Sequence, residues 1–236
     1  MTDRKAQLAA NLAQVEERIT SACAAAGRKR EDVTLIVVTK TYPASDVRML
    51  RELGVRHVAE NRDQDAAPKA AACADLSLMW HFVGQLQTNK VRSVTSYADV
   101  VQSVDRIKLV TALSAAAVRA ERELGCLIQV ALDAESGERG GVAPDGIEEL
   151  AAAVDAAEGL RLDGLMTVAP LAGPFAGRQR AAFDRLMEIA TRLRAGHPAA
   201  TMVSAGMSAD LEDAVAAGAT HVRVGTAVLG VRPGLG

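Results

Sequence analysis

Thr34-Leu-Ile-Val-Val-Thr39, closed by Lys40, is the stretch on which the fold turns. It is β-branched and aliphatic with no polar alternation, the pattern of a strand buried on both faces in a helix-covered parallel sheet. Upstream, Leu8, Leu12, Val15, Ile19 and Cys23 recur at steps of three or four and Gly27 follows, which predicts an N-terminal helix. Downstream, Pro43 can open a helix lined by Val47, Leu50 and Leu53, with Gly54 behind it.

The alternation then repeats. Strands are expected at 57–59, 80–83, 99–102, 127–132, within 160–167, at 201–203 and at 221–224. Between them, helices are expected at about 64–73, 88–95 and 105–124 (the last stopped by Gly125), after Pro144, along Phe183, Leu186, Met187, Ala190 and Leu193, and at 209–217. Eight strand–helix units in 236 residues predict one (β/α)8 TIM barrel with an extra N-terminal helix, residues 1–236 forming a single domain. A doubly wound open sheet is the alternative, because periodicity does not say whether a sheet closes. No internal repeat, linker or low-complexity tract interrupts the chain.

Composition narrows the function. A net charge of -2, without a basic stripe, gives no footprint for nucleic acid or an anionic membrane. Cys23, Cys73 and Cys126 form no CxxC and read as reduced core thiols. With no apolar signal core and no run approaching a membrane span, a soluble cytoplasmic protein is expected. His57, His81, His197 and His221 have no metal-binding spacing, so no metal is expected.

In parallel α/β folds the working site lies at the carboxyl ends of the strands. Those ends carry Lys40, Glu60-Asn61, Gly84, Ser103, Asp133, Thr167, Ser204 with Gly206, and Arg223 with Gly225-Thr226. Lys40 reads either as a solvated strand-end lysine or as a partly desolvated amine able to attack a carbonyl. The segments 204–208 and 224–230 follow the last two strands, where barrels usually hold a phosphate. Tight turns use the same small residues, and Asp210, Glu212 and Asp213 would repel an anion at the following helix. The main grip is therefore expected from Gly225 and Thr226, with Ser204 and Gly206 assisting. Arg223, inside an apolar strand, is either paired with an acid or aimed at a ligand. His81 reads as a satisfied structural histidine. Gly137-Glu-Arg-Gly140-Gly141 is too far from GxGxxG to support a dinucleotide site.

Six ordered motifs carry a resemblance across about residues 5–231: Val37-Val-Thr-Lys-Thr-Tyr-Pro43, Ala59-Glu-Asn61, Trp80-His-Phe-Val-Gly84 with Leu86-Gln-Thr-Asn-Lys90, Ser103-Val-Asp-Arg106, Ala205-Gly-Met-Ser208 and Arg223-Val-Gly-Thr-Ala227. Together they resemble the pyridoxal phosphate homeostasis protein family, single-domain relatives of the alanine racemase barrel. The resemblance implies that Lys40 holds pyridoxal 5'-phosphate (PLP) as a Schiff base and that Arg223 faces the pyridine nitrogen. It places the phosphate around Ser204, Gly206, Gly225 and Thr226, and lines the cofactor pocket with Asn61 and His81. The chain departs from the family pattern at Tyr42 (a second lysine is frequent), Arg62 (tyrosine), Gln102 (histidine), Ala205 (methionine) and in the 133–141 loop.

An arginine at the pyridine nitrogen cannot accept the ring proton and leaves a weak electron sink. The resembled racemases compensate with a second base from another domain, for which a chain ending at Gly236 leaves no room. The expected function is thus a PLP carrier and homeostasis factor that buffers the reactive aldehyde and hands it to apo-enzymes, binding and delivery being favoured over turnover, with no catalytic residue assigned and a monomer preferred. The alternatives are an amino-acid racemase using Tyr42 or His81 as base, and a PLP-free aldolase using Lys40 on a sugar phosphate.

Overall fold

The computed structural model describes residues 3–132 and 140–230. The apolar run after Val33 forms β1 (Thr34–Val38), which pairs in parallel with β2 (His57–Glu60) on one side and β8 (His221–Val224) on the other. Between them, β3 (Met79–Phe82), β4 (Val100–Val104), β5 (Leu124–Gln129), β6 (Leu160–Met166) and β7 (Met202–Ser204) follow in chain order and close the barrel. The β1–β8 pairing removes both sheet edges and decides against an open sheet.

Helices α1 (Arg4–Ala25) to α9 (Thr226–Leu229) surround the strands. They include α2 (Ala44–Glu52), opened by Pro43, α3 (Asp63–Ala72), α4 (Val91–Tyr97), α5 (Ile107–Arg119), α6 (Ile147–Asp155), α7 (Gln179–Gly196) and α8 (Leu211–Ala217). No helix among the described residues is long and apolar enough to cross a membrane.

The core divides by strand alternation. Val101 and Cys126 belong to the large cluster beneath the helices, while their chain neighbours Val100 and Leu127 join Met166 in a separate small one against Met202. The three cysteines are free and buried, and burial pushes the Cys126 thiol up to about 12. Trp80 is buried beside Tyr97, edge-on at 6.4 Å between ring centroids.

Gly125 corrects one expectation. The helix before it ends at Arg119, Glu121 turns the chain at φ 51, and Gly125 lies inside β5. A Cβ there would meet Asp163 Oδ2 at 2.2 Å and would have to displace a carboxylate that Arg161 holds at 2.6 Å, so the constraint comes from the neighbouring strand and not from a helix end. The expected helix after Pro144 begins as a single tight turn, Pro144–Gly146, before α6.

Candidate functional site

The end of β1 sets the first element of the site. Thr39 N–H continues the ladder to Ala59 O at 2.9 Å, and Tyr42 N–H then donates back to Thr39 O at 3.1 Å. Lys40 and Thr41 are the centre of this turn. Thr41 has φ 71, a left-handed conformation uncommon for a β-branched residue, and Lys40 is exposed. Asn61 follows β2 and is half-buried; Gly84 follows β3 so closely against it that a Cβ would lie 2.0 Å from the Asn61 carbonyl oxygen.

A hydrogen-bonded column crosses the barrel interior below this mouth. Arg223 Nη1 donates to Ser204 Oγ at 2.7 Å, and Ser204 Oγ donates to Gln102 Oε1 at 2.7 Å. Gln102 Nε2 lies 2.9 Å from His81 Nδ1, and His81 Nε2 lies 3.0 Å from His57 Nδ1. Arginine has no acceptor, so it fixes the sense of the whole column. Ser204 must pass its proton to Gln102 Oε1, the Gln102 amide donates to His81, and His81 donates to His57. Both imidazoles are then neutral. Their environment agrees: burial holds His81 well below its ordinary pKa, lowers His57, and pushes His221 down to about 4.

Arg223 is buried, and no carboxylate among the described residues lies within ion-pair distance of it. Its second contact is Nη2 to Thr167 O at 2.8 Å, and burial pushes its pKa down to about 10. Of the two sequence readings, pairing with an acid is therefore not what the fold provides.

The loops after β7 and β8 meet at one place. Ala227 N–H donates to Ser208 Oγ at 3.3 Å, which joins the Gly206–Ser208 loop to the Gly225–Thr226 turn. Gly206 has φ 88, and a Cβ would lie 2.6 Å from that of Ala214. No hydrogen bond among the described residues uses the amide of Gly206 or Thr226. Glu212 is turned to Arg18 at 2.7 Å, and Asp210 accepts from Met207 N–H at 2.6 Å, with burial raising its pKa. Two of the three acids near this terminus are thus committed elsewhere or partly desolvated.

Ser204, Gly206, Arg223, Gly225 and Thr226 are neighbours through the β7–β8 connection, and Lys40 ends the strand beside β8. Asn61 lies at the end of the next strand. His81 is placed differently from an open pocket lining. It is 1% exposed, and both its ring nitrogens are engaged in the column. Tyr42 is also committed, its hydroxyl donating to Gly230 O at 2.7 Å. Asp133 and most of the Gly137–Gly141 stretch lie outside the described residues.

Two buried polar side chains next to these residues are not singled out by the sequence pattern. Gln102, in sequence only a departure from the resembled family, joins both halves of the column; its signal is a polar side chain in Val100–Val104, where every residue is buried. Lys69 is the other. It is buried in α3 and donates to Glu60 Oε1 at 2.5 Å and to Thr39 O at 2.8 Å. Its weak signal is a lysine between Ala66 and Ala70 on the buried side of that helix.

The family model for the alanine racemase N-terminal domain matches residues 7–233. Proteins named pyridoxal phosphate homeostasis protein from Mycobacterium tuberculosis and Pseudomonas aeruginosa are 43% and 42% identical, covering 98% and 95% of this chain and 95% and 96% of their own length. The structure of PipY from Synechococcus elongatus with PLP bound superimposes with a TM-score of 0.81 at 33% identity, covering 94% of this chain and all of that one. Alanine racemase from Clostridium difficile shares the fold at 15% identity and a TM-score of 0.71, this chain spanning 58% of its length.

Proposed function

Because this chain belongs to the alanine racemase N-terminal domain family, and within it to the pyridoxal phosphate homeostasis proteins, we propose that it binds PLP and serves in PLP homeostasis. In this reading residues 1–236 act as one PLP-binding domain, Lys40 holds the cofactor as a Schiff base, and the protein delivers it to apo-enzymes. When bound, PLP supplies a reactive aldehyde and an electron-withdrawing pyridine ring.

The observation that carries the reading is Arg223, a buried cation with no carboxylate in ion-pair distance among the described residues, which feels Asp210 only through space and donates to Ser204 and Thr167. Such a group suits an uncharged ring nitrogen, to which it can donate but from which it cannot take a proton. The free amides of Gly206 and Thr226, stitched together through Ser208, fit a phosphate. Lys40 is exposed at the mouth, where an amine can reach an aldehyde and release it again. Asn61 borders that mouth, and His81 supports the pocket from beneath, through Gln102 and Ser204.

Storage and delivery suit these residues better than racemisation. A racemase needs a proton acceptor facing Lys40, and the two candidates, Tyr42 and His81, have their polar atoms engaged within the protein. The test is visible absorbance of the protein with PLP, then borohydride reduction and mass spectrometry. We expect one reduced adduct, on Lys40, and none after Lys40→Ala. Equally tight PLP binding by Lys40→Ala would overturn the assignment.

A further inference from the structure

We propose that the buried Lys69–Glu60 pair is a positioning device for Lys40, a role that rests on Lys40 being the PLP lysine. The pair lies behind β1 and β2, with Glu60 fully buried and Lys69 7% exposed. A buried ion pair is a poor way to stabilise a fold, since desolvation offsets most of its attraction. Its placement gives it another use. Lys69 Nζ donates to Thr39 O at 2.8 Å as well as to Glu60 Oε1 at 2.5 Å, and Thr39 Oγ1 donates to the same Glu60 oxygen at 2.6 Å.

The Thr39 carbonyl belongs to the peptide that joins Thr39 to Lys40, and a peptide is planar. Fixing its oxygen fixes the plane from which the Lys40 Cα departs. Two donors hold it: Lys69 Nζ from the helix side and Tyr42 N–H from across the turn. The next residue, Thr41, sits at φ 71, a conformation its side chain disfavours and that persists only where its surroundings impose it. Lys69 and Glu60 supply that constraint without touching the cofactor. They orient the backbone of Lys40 while its exposed side chain stays free to react.

Glu60 Oε2 has no partner among the described residues, so the carboxylate depends on Lys69 for its compensating charge. Lys69→Met alone would strand a buried negative charge and can fail to fold for that reason. The informative variant is Glu60→Gln with Lys69→Met, which removes both charges together with the donor to Thr39 O.

The first readout uses the protein without PLP: amide hydrogen exchange at Tyr42, whose N–H is bonded to the clamped carbonyl. The second is PLP dissociation and the site of borohydride reduction. We expect the double variant to keep its circular dichroism, to lose protection at Tyr42 by about tenfold or more, and to release PLP faster by a similar factor with the adduct still on Lys40. Wild-type protection at Tyr42 together with unchanged PLP release would reduce the pair to a fold staple and overturn the proposal. A wild-type protein that forms no adduct on Lys40 would instead sink the cofactor assignment, while the exchange measurement would still report on the clamp.

Discussion

At the residue scale the decisive property of Arg223 is that it donates and never accepts. From that single fact the protonation of Ser204, Gln102, His81 and His57 follows in order. Gln102→Leu should break the column at its centre, leaving His81 Nδ1 without a donor and Ser204 without its acceptor. The expected loss is about 1–3 kcal/mol, read as a lower midpoint in urea unfolding with an unchanged slope. The two histidines of the column, with His221 edge-on to His57, predict a pH dependence. A free imidazole titrates near 6.5, whereas His221 in the fold titrates at about 4 and His81 and His57 are also lowered. Between the two values the unfolded chain binds more protons than the folded one, so stability is full above about 6.5 and falls as the pH drops toward 4. The slope reaches about 1.4 kcal/mol per pH unit for each such histidine. Denaturant titrations at pH 7, about 5.5 and about 4.5 would check this, and a flat profile would contradict neutral imidazoles in the barrel.

At the element scale most of the architecture could be read in advance, because a short apolar run and an amphipathic stripe are local patterns that survive folding. Gly125 could not. A glycine after a helical stretch looks like a stop signal, and only the Asp163 carboxylate on β6, 2.2 Å from where a Cβ would stand, reveals its real constraint. Gly164 and Gly27 offer a paired test. At Gly164 a Cβ would sit 1.9 Å from Met202 O, whereas at Gly27 nothing lies within 4 Å and only φ 65 opposes a side chain. Gly164→Ala should therefore cost on the order of 3 kcal/mol or more, and Gly27→Ala about 1–2 kcal/mol. Thermal melting of both variants would separate the two; equal losses would mean that β6 and β7 can part without penalty.

For the whole molecule, closure is what turns scattered strand ends into one site, and this explains the limits of legibility there. Lys40, Asn61, Ser204, Gly206, Arg223, Gly225 and Thr226 could be listed in advance because each lies at or near the carboxyl end of a strand. Lys69 could not, since its pairing with Glu60 exists only once α3 packs back on β2. The first helix has a comparable hidden role. Arg4 reaches Asp46 at 2.6 Å and Leu229 O at 3.1 Å, and Asn11 donates to Val228 O at 2.9 Å. The start of the chain thus holds α9, which carries Thr226. Arg4→Ala should weaken PLP binding several-fold through faster exchange of the α9 amides, with the Lys40 adduct unchanged; unaltered affinity would separate α1 from the phosphate grip.

Trp80 is the sole tryptophan of the chain, and it precedes His81 on β3. Its indole is buried on the helix side while its neighbour's ring belongs to the interior column. The protein is therefore equipped with one indole in a single environment, which can be excited apart from its two tyrosines. If the proposed PLP lies at the mouth, it would absorb where a buried indole emits, so loading and release would be followed as quenching and recovery of one emission band. Transfer to an unlabelled apo-enzyme could be timed in a stopped-flow cuvette, with no dye attached to either partner.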